Sequence, residues 1–93
     1  MAARSGKVKR FTINGRAWPW KYTRLKGSAD GWMIEGKGRR ILIESALRGR
    51  RKLRVELHEF LHAANPDHDE ATTDRQSTDL AKILWALGYR MAE

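Results

Sequence analysis

The sequence predicts an α+β fold, a small antiparallel β-sheet of three to four strands followed by two helices, on three observations. β-prone runs with two-residue alternation occupy the chain from Val8 to about Glu44. Beyond Gly49 the apolar residues recur at three- and four-residue spacing, the period of a helix. The breaks between these segments fall on turn-forming residues: Asn14-Gly15, Gly36-Lys37-Gly38, Asn65-Pro66 and Gly88.

Residues 1–7 are small and basic and read as a flexible tail, which leaves residues 8–93 as a single domain, because a chain of this length is too short for two cores. Val8-Lys9-Arg10-Phe11-Thr12-Ile13 is a short strand, and Asn14-Gly15 after it suits the positive φ angles of a tight hairpin turn. The return strand, about Arg16 to Leu25, puts Trp18, Trp20 and Tyr22 on one face, while Pro19, with no N–H for a ladder, argues for an edge position. After the turn-rich Lys26 to Gly31, Trp32-Met33-Ile34-Glu35 and Ile41-Leu42-Ile43-Glu44 read as strands joined through Gly36-Lys37-Gly38.

Leu53, Leu57, Phe60, Leu61 and Ala64 share one helical face, marking a helix from about Arg51 to Ala64 that Asn65-Pro66 terminates. Asp67 followed by Glu70 is a capping pair for a second helix, with Leu80, Ile83, Leu84 and Leu87 as its inward stripe and Gly88 as its stop.

Charge is distributed unevenly. Of 19 Lys and Arg and 11 Asp and Glu, residues 1–54 carry 16 basic and 3 acidic. A first half so basic attracts polyanions and suggests contact with nucleic acid or an acidic surface, with a solvated basic face that maintains solubility as the competing reading. The cluster Arg48, Arg50, Arg51, Lys52 and Arg54 falls at the start of the first helix, where cations oppose the positive end of the helix dipole; Arg48, Arg50, Arg51 and Lys52 are therefore candidate anion or nucleic-acid contacts. Trp18, Trp20 and Tyr22 could stack bases, although one aromatic face on a strand more often builds a core. There is neither a 20-residue apolar run nor a leader-like segment, so the expected location is the cytoplasm, with no membrane contact.

The chain has no cysteine, so a metal site must use imidazole and carboxylate. His58-Glu59-Phe60-Leu61-His62 meets that requirement. Residues four apart on a helix stand one turn apart on one face, so His58 and His62 can direct two imidazoles at one zinc ion, and Glu59 beside them can act as general base. A third ligand is expected downstream, because a catalytic zinc usually takes three. His68, just past the Asn65-Pro66 turn, is the first choice; Asp74 is the alternative, and Glu70 follows with a competing role as a cap.

With these residues in place, the segment of about 40–88 resembles the zincin-like metallopeptidases, and its order of strand, basic linker, HExxH helix and second helix is similar to the minimal SprT-like and ImmA/IrrE-like domains of bacteria and their phages. That resemblance implies that the strand Ile41 to Glu44 forms a cleft wall to whose edge a substrate segment adds, and the ImmA/IrrE likeness implies a carboxylate third ligand, Asp74. The run His58-x3-His62-x5-His68 is similar instead to the metzincins and to the endoribonucleases related to YbeY, which implies three histidine ligands. Both of those families commonly have Gly where this chain has Asn65, a residue that tolerates positive φ. Glu59, absent from the endoribonucleases, favours peptide-bond chemistry. The expectation is thus a minimal zincin-like zinc metallopeptidase acting on protein or peptide; the alternatives are a metal-dependent endoribonuclease and a non-catalytic, metal-stabilised nucleic-acid-binding module.

Overall fold

A computed structural model describes residues 8–90, so the expected tail, residues 1–7, lies outside the described residues. The chain divides into two compact units, Met1–Ala46 and Leu47–Glu93. The first contains the strands β1 (Val8–Ile13), β2 (Arg16–Thr23), β3 (Gly31–Ile34) and β4 (Arg40–Glu44), and the second the helices α1 (Gly49–Ala64) and α2 (Glu70–Ala86). Among the described residues no helix is long and apolar enough to cross a membrane.

β1 and β2 form the expected hairpin. Asn14 and Gly15 both take positive φ, 51° and 78°, and Ile13 pairs with Arg16 across a two-residue loop. The rest of the sheet departs from the all-antiparallel expectation, because the strand order is β1-β2-β4-β3 and β2 pairs with β4 in parallel. β4 supplies three consecutive apolar residues, Ile41-Leu42-Ile43, which suit a strand flanked on both sides, whereas β3, with Gly31 and an exposed Trp32, is left at the edge. β4 therefore has no free edge, which overturns the expectation that a substrate strand adds to Ile41–Glu44. Pro19 is also explained. β2 is an interior strand, yet Pro19 stands opposite Arg10 at a non-hydrogen-bonded position of the β1–β2 hairpin, and pairing with β4 begins only at Trp20, so the side to which its missing N–H points carries no ladder at that residue.

Register sorts the side chains by face. Trp18, Trp20, Ile41 and Ile43 fall on one face and are buried, with Ile13 beside them. At the end of β4, Glu44 ties down the adjoining loops: its two carboxylate oxygens accept from the N–H groups of Leu25 and Ala46, each at 2.8 Å, and Arg24 Nε stands 3.1 Å away. These backbone donors, with Arg24, hold the Glu44 carboxyl below its ordinary pKa of 4.5. A depressed native pKa gives stability that is present above the unfolded-state pKa and is lost as pH falls through the native one. Glu44→Gln should accordingly lower the urea midpoint of the sheet at pH 7, with the gap to wild type narrower at about pH 3. A gap of equal size at both pH values would mean that the carboxylate charge contributes nothing.

In the helical unit α1 ends at Ala64, as Pro66 requires. Asn65 has φ −133°, so the positive angle that a Gly substitute would need is not used. The cap of α2 is Asp69 rather than Asp67: its Oδ1 accepts from the Thr72 N–H at 2.8 Å. At the other end Gly88, at φ 91°, allows the Gly88 and Tyr89 N–H groups to reach Trp85 O and Leu84 O, which closes the helix in a Schellman turn. The expected inward stripe of α2 is corrected. Leu80, Ile83 and Leu87 are 37%, 55% and 67% exposed, and the buried positions are Thr73, Ser77 and Ala81. On α1 the buried set includes His58 and Glu59 beside Val55, while Phe60 is exposed. Small residues at four-residue spacing allow two helices to approach closely, and the Ser77 hydroxyl among them gives the buried His58 imidazole polar company.

Candidate metal centre

His58 and His62 stand one turn apart on α1 with ring centroids 4.7 Å apart and the planes at 75°. Glu70, the first residue of α2, reaches back across the interhelical turn. Its Oε2 lies 3.0 Å from His58 Nε2 and its Oε1 2.9 Å from His62 Nε2. One ligand atom from each of His58, His62 and Glu70 falls within 4.8 Å of the others, so the three can hold one metal ion. For bonds of about 2.1 Å the ligand atoms of a tetrahedral centre stand roughly 3.4 Å apart, a spacing that this cluster meets with small shifts. The donor set suits the ion as well, since two imidazoles and one carboxylate match a borderline divalent cation and leave a fourth position open. Glu70 has an independent reason for its place, because a carboxylate in the first turn of a helix faces the positive end of the dipole.

The second nitrogen of His58 is also engaged. Asp74 Oδ1 is 3.3 Å from Nδ1, and the fully buried Ser77 hydroxyl is 3.4 Å from the same atom while bonding to Asp74 O at 3.0 Å. With its proton on Nδ1, His58 donates to Asp74 and presents the Nε2 lone pair to the cluster, an arrangement that fixes both ring orientation and tautomer.

Glu59 is only 6% exposed, and its carboxyl is pushed up from 4.5 to about 7, first by burial and then by the charge of Glu70. A carboxyl so placed exchanges its proton near neutral pH.

The other residues singled out from sequence take the following places. His68 sits exposed in the bend between the helices, donating its backbone N–H to Asn65 O at 3.0 Å, and is outside the cluster. Asp74 touches His58 from the side opposite Glu70. Arg48 is the N-cap of α1 without a side-chain capping bond, and Arg50, Arg51 and Lys52 fill a first turn that contains no acid. Trp18 and Trp20 are buried and belong to the core, so their rings have no open face for a base. Glu70 had one signal in the sequence beyond its capping role. It stands four residues before Asp74, so the two carboxylates share one face of α2 and can address one imidazole from both sides.

In comparisons with protein-family models, curated proteins and solved structures, nothing matches the chain, so the structure and its own residues carry the assignment: an α+β chain with a His/His/Glu cluster, contributed by two helices, that can coordinate a metal ion.

Proposed function

We propose that the chain is a small zinc-dependent metallopeptidase, with His58, His62 and Glu70 as ligands and Glu59 as general base. The reading rests on one observation: a carboxylate from α2 contacts both imidazoles of the His58-x3-His62 pair, while a buried glutamate follows the first of them. When bound, the ion supplies a Lewis acid for the scissile carbonyl and makes water a better nucleophile. Glu59 accepts the proton of the attacking water and returns it to the leaving amine. Asp74 and Ser77 hold His58 in register during that exchange.

The experiment is hydrolysis of a mixture of unfolded polypeptides by the full chain, in the presence of zinc, after chelation, and after zinc is restored. Fragments should appear with zinc, vanish on chelation and return on reloading. No cleavage by a chain carrying one zinc ion would leave the non-catalytic metal-stabilised module, and cleavage of RNA but not of polypeptide would favour the endoribonuclease alternative.

Ligand assignment is tested separately by zinc titration. Glu70→Ala should weaken binding by more than about 100-fold and Asp74→Ala by about 10- to 100-fold, the range for a partner that orients a ligand, while His68→Ala should change nothing. Loss of binding in His68→Ala with retention in Glu70→Ala would restore the three-histidine site.

A further inference from the structure

The sheet has two unlike faces, and register defines the second as firmly as the first. Across the four strands Val8 pairs with Lys21, Lys21 with Leu42 and Leu42 with Trp32, so these four side chains form one row on the face opposite Trp20 and Ile41. The next positions on that face are Arg10 paired with Pro19, and Arg40 paired with Ile34. Here the aromatic ring is open: Trp32 is 49% exposed, whereas Trp18 on the other face is 1% exposed. Lys21 and Trp32 are two strands apart, about 10 Å at the usual interstrand spacing. Among the described residues no carboxylate pairs with Arg10 or Lys21. Arg40 spends one guanidinium nitrogen on Gly38 O at 2.6 Å and retains its other donors. Glu44, which shares this face through its pairing with Thr23, is already bonded to Leu25, Ala46 and Arg24.

We propose that this face of the sheet binds single-stranded nucleic acid, with Trp32 stacking a base and Arg10, Lys21 and Arg40 contacting phosphates. The charge argument selects a polyanion, since the face carries three cations and a carboxylate whose charge is already met. The exposed ring selects an unpaired strand, because a base in a duplex offers no free face to a side chain lying flat on a sheet. An anionic membrane fits less well: insertion needs a broad protruding apolar surface, and here the two exposed apolar side chains, Val8 and Trp32, stand at opposite ends of a row that contains Lys21, with Arg10 and Arg40 at the next positions. The surface lies wholly within the Met1–Ala46 unit, so it is independent of the metal centre and of the reaction proposed for it.

The test is fluorescence anisotropy of labelled fifteen-nucleotide oligo-dT and oligo-U with the full chain over a range of NaCl concentrations. Affinity should fall as salt rises, with a log–log slope of about −0.7 for each phosphate neutralised. Trp32→Ala should weaken binding about tenfold at every salt concentration without changing the slope, and Trp32→Phe should restore most of the loss. Lys21→Ala should make the slope shallower by about 0.7. Circular dichroism reports whether Trp32→Ala keeps its fold; if it does not, the Trp32→Phe and Lys21→Ala measurements decide. Binding unaffected by these variants but lost in Arg50→Ala/Arg51→Ala/Lys52→Ala would move the contact to the start of α1 and overturn the proposal. So would tighter binding of a duplex of equal length, or Trp32-dependent binding to anionic lipid vesicles with none to the oligonucleotides.

Discussion

Glu59→Gln is expected to reduce kcat for peptide hydrolysis by at least about 100-fold, the scale of a lost general base, while the zinc affinity stays within about twofold of wild type. Gln matches Glu in size and helix propensity, so α1 should be unchanged and both imidazoles should remain where they are. The stability effect has a definite sign. Burial and the Glu70 charge both penalise ionised Glu59, so a neutral amide removes that penalty, and the melting temperature should hold or rise. A fall in activity together with steady or increased stability is the mark of a group kept for chemistry rather than for packing. Equal turnover by wild type and variant would end the general-base assignment, and a drop in melting temperature matching the loss of activity would make Glu59 a structural residue.

The second large effect concerns the imidazoles. His62→Ala should abolish stoichiometric zinc binding, since the remaining imidazole and carboxylate make too small a donor set and no thiolate is present to substitute. In the wild type, zinc at about 100 times its dissociation constant adds roughly 2.7 kcal/mol to the native state, so chelation should lower the melting temperature by several degrees. His62→Ala should melt at the chelated value with or without zinc. His58→Ala should lose zinc as well and be less stable than His62→Ala even when metal-free, because it also strips Asp74 and Ser77 of the ring that they face. Metal analysis of the purified variants, with melts in zinc and in chelator, separates these outcomes. One retained zinc ion per chain in His62→Ala would sink the site.

The features legible in advance are those written in short stretches of chain. Asn14-Gly15 requires a left-handed turn that few other dipeptides tolerate, and Pro66 ends α1 through a clash with its own neighbour. The four-residue spacing of His58 and His62 places both rings on one helical face whatever surrounds the helix. The inner stripe of α2 could not be read the same way. Leu80, Ile83 and Leu87 have the stronger hydrophobic signal, yet Thr73, Ser77 and Ala81 are buried, and the Ser77 hydroxyl faces the buried His58 ring.

What the sequence by itself determined, then, is the set of elements and two members of the His/His/Glu cluster: the β1–β2 hairpin, the strands β3 and β4, the two helices and the His58–His62 pair, each set by torsional preference or periodicity within a few residues. Only the tertiary structure decided the strand order and which downstream side chain joins the two imidazoles in one cluster. The β3–β4 hairpin can offer either strand to β2, and both carry a three-residue apolar run, Trp32-Met33-Ile34 and Ile41-Leu42-Ile43, so the choice depends on which one buries more apolar surface across a separation of some 20 residues. Likewise His68, Glu70 and Asp74 all lie within reach of His62 along the chain. The path of the five residues between the helices turns Glu70 toward both imidazoles, Asp74 toward the far nitrogen of one, and His68 outward. A carboxylate on α2 is selected because the helix dipole and two facing imidazoles favour it there together.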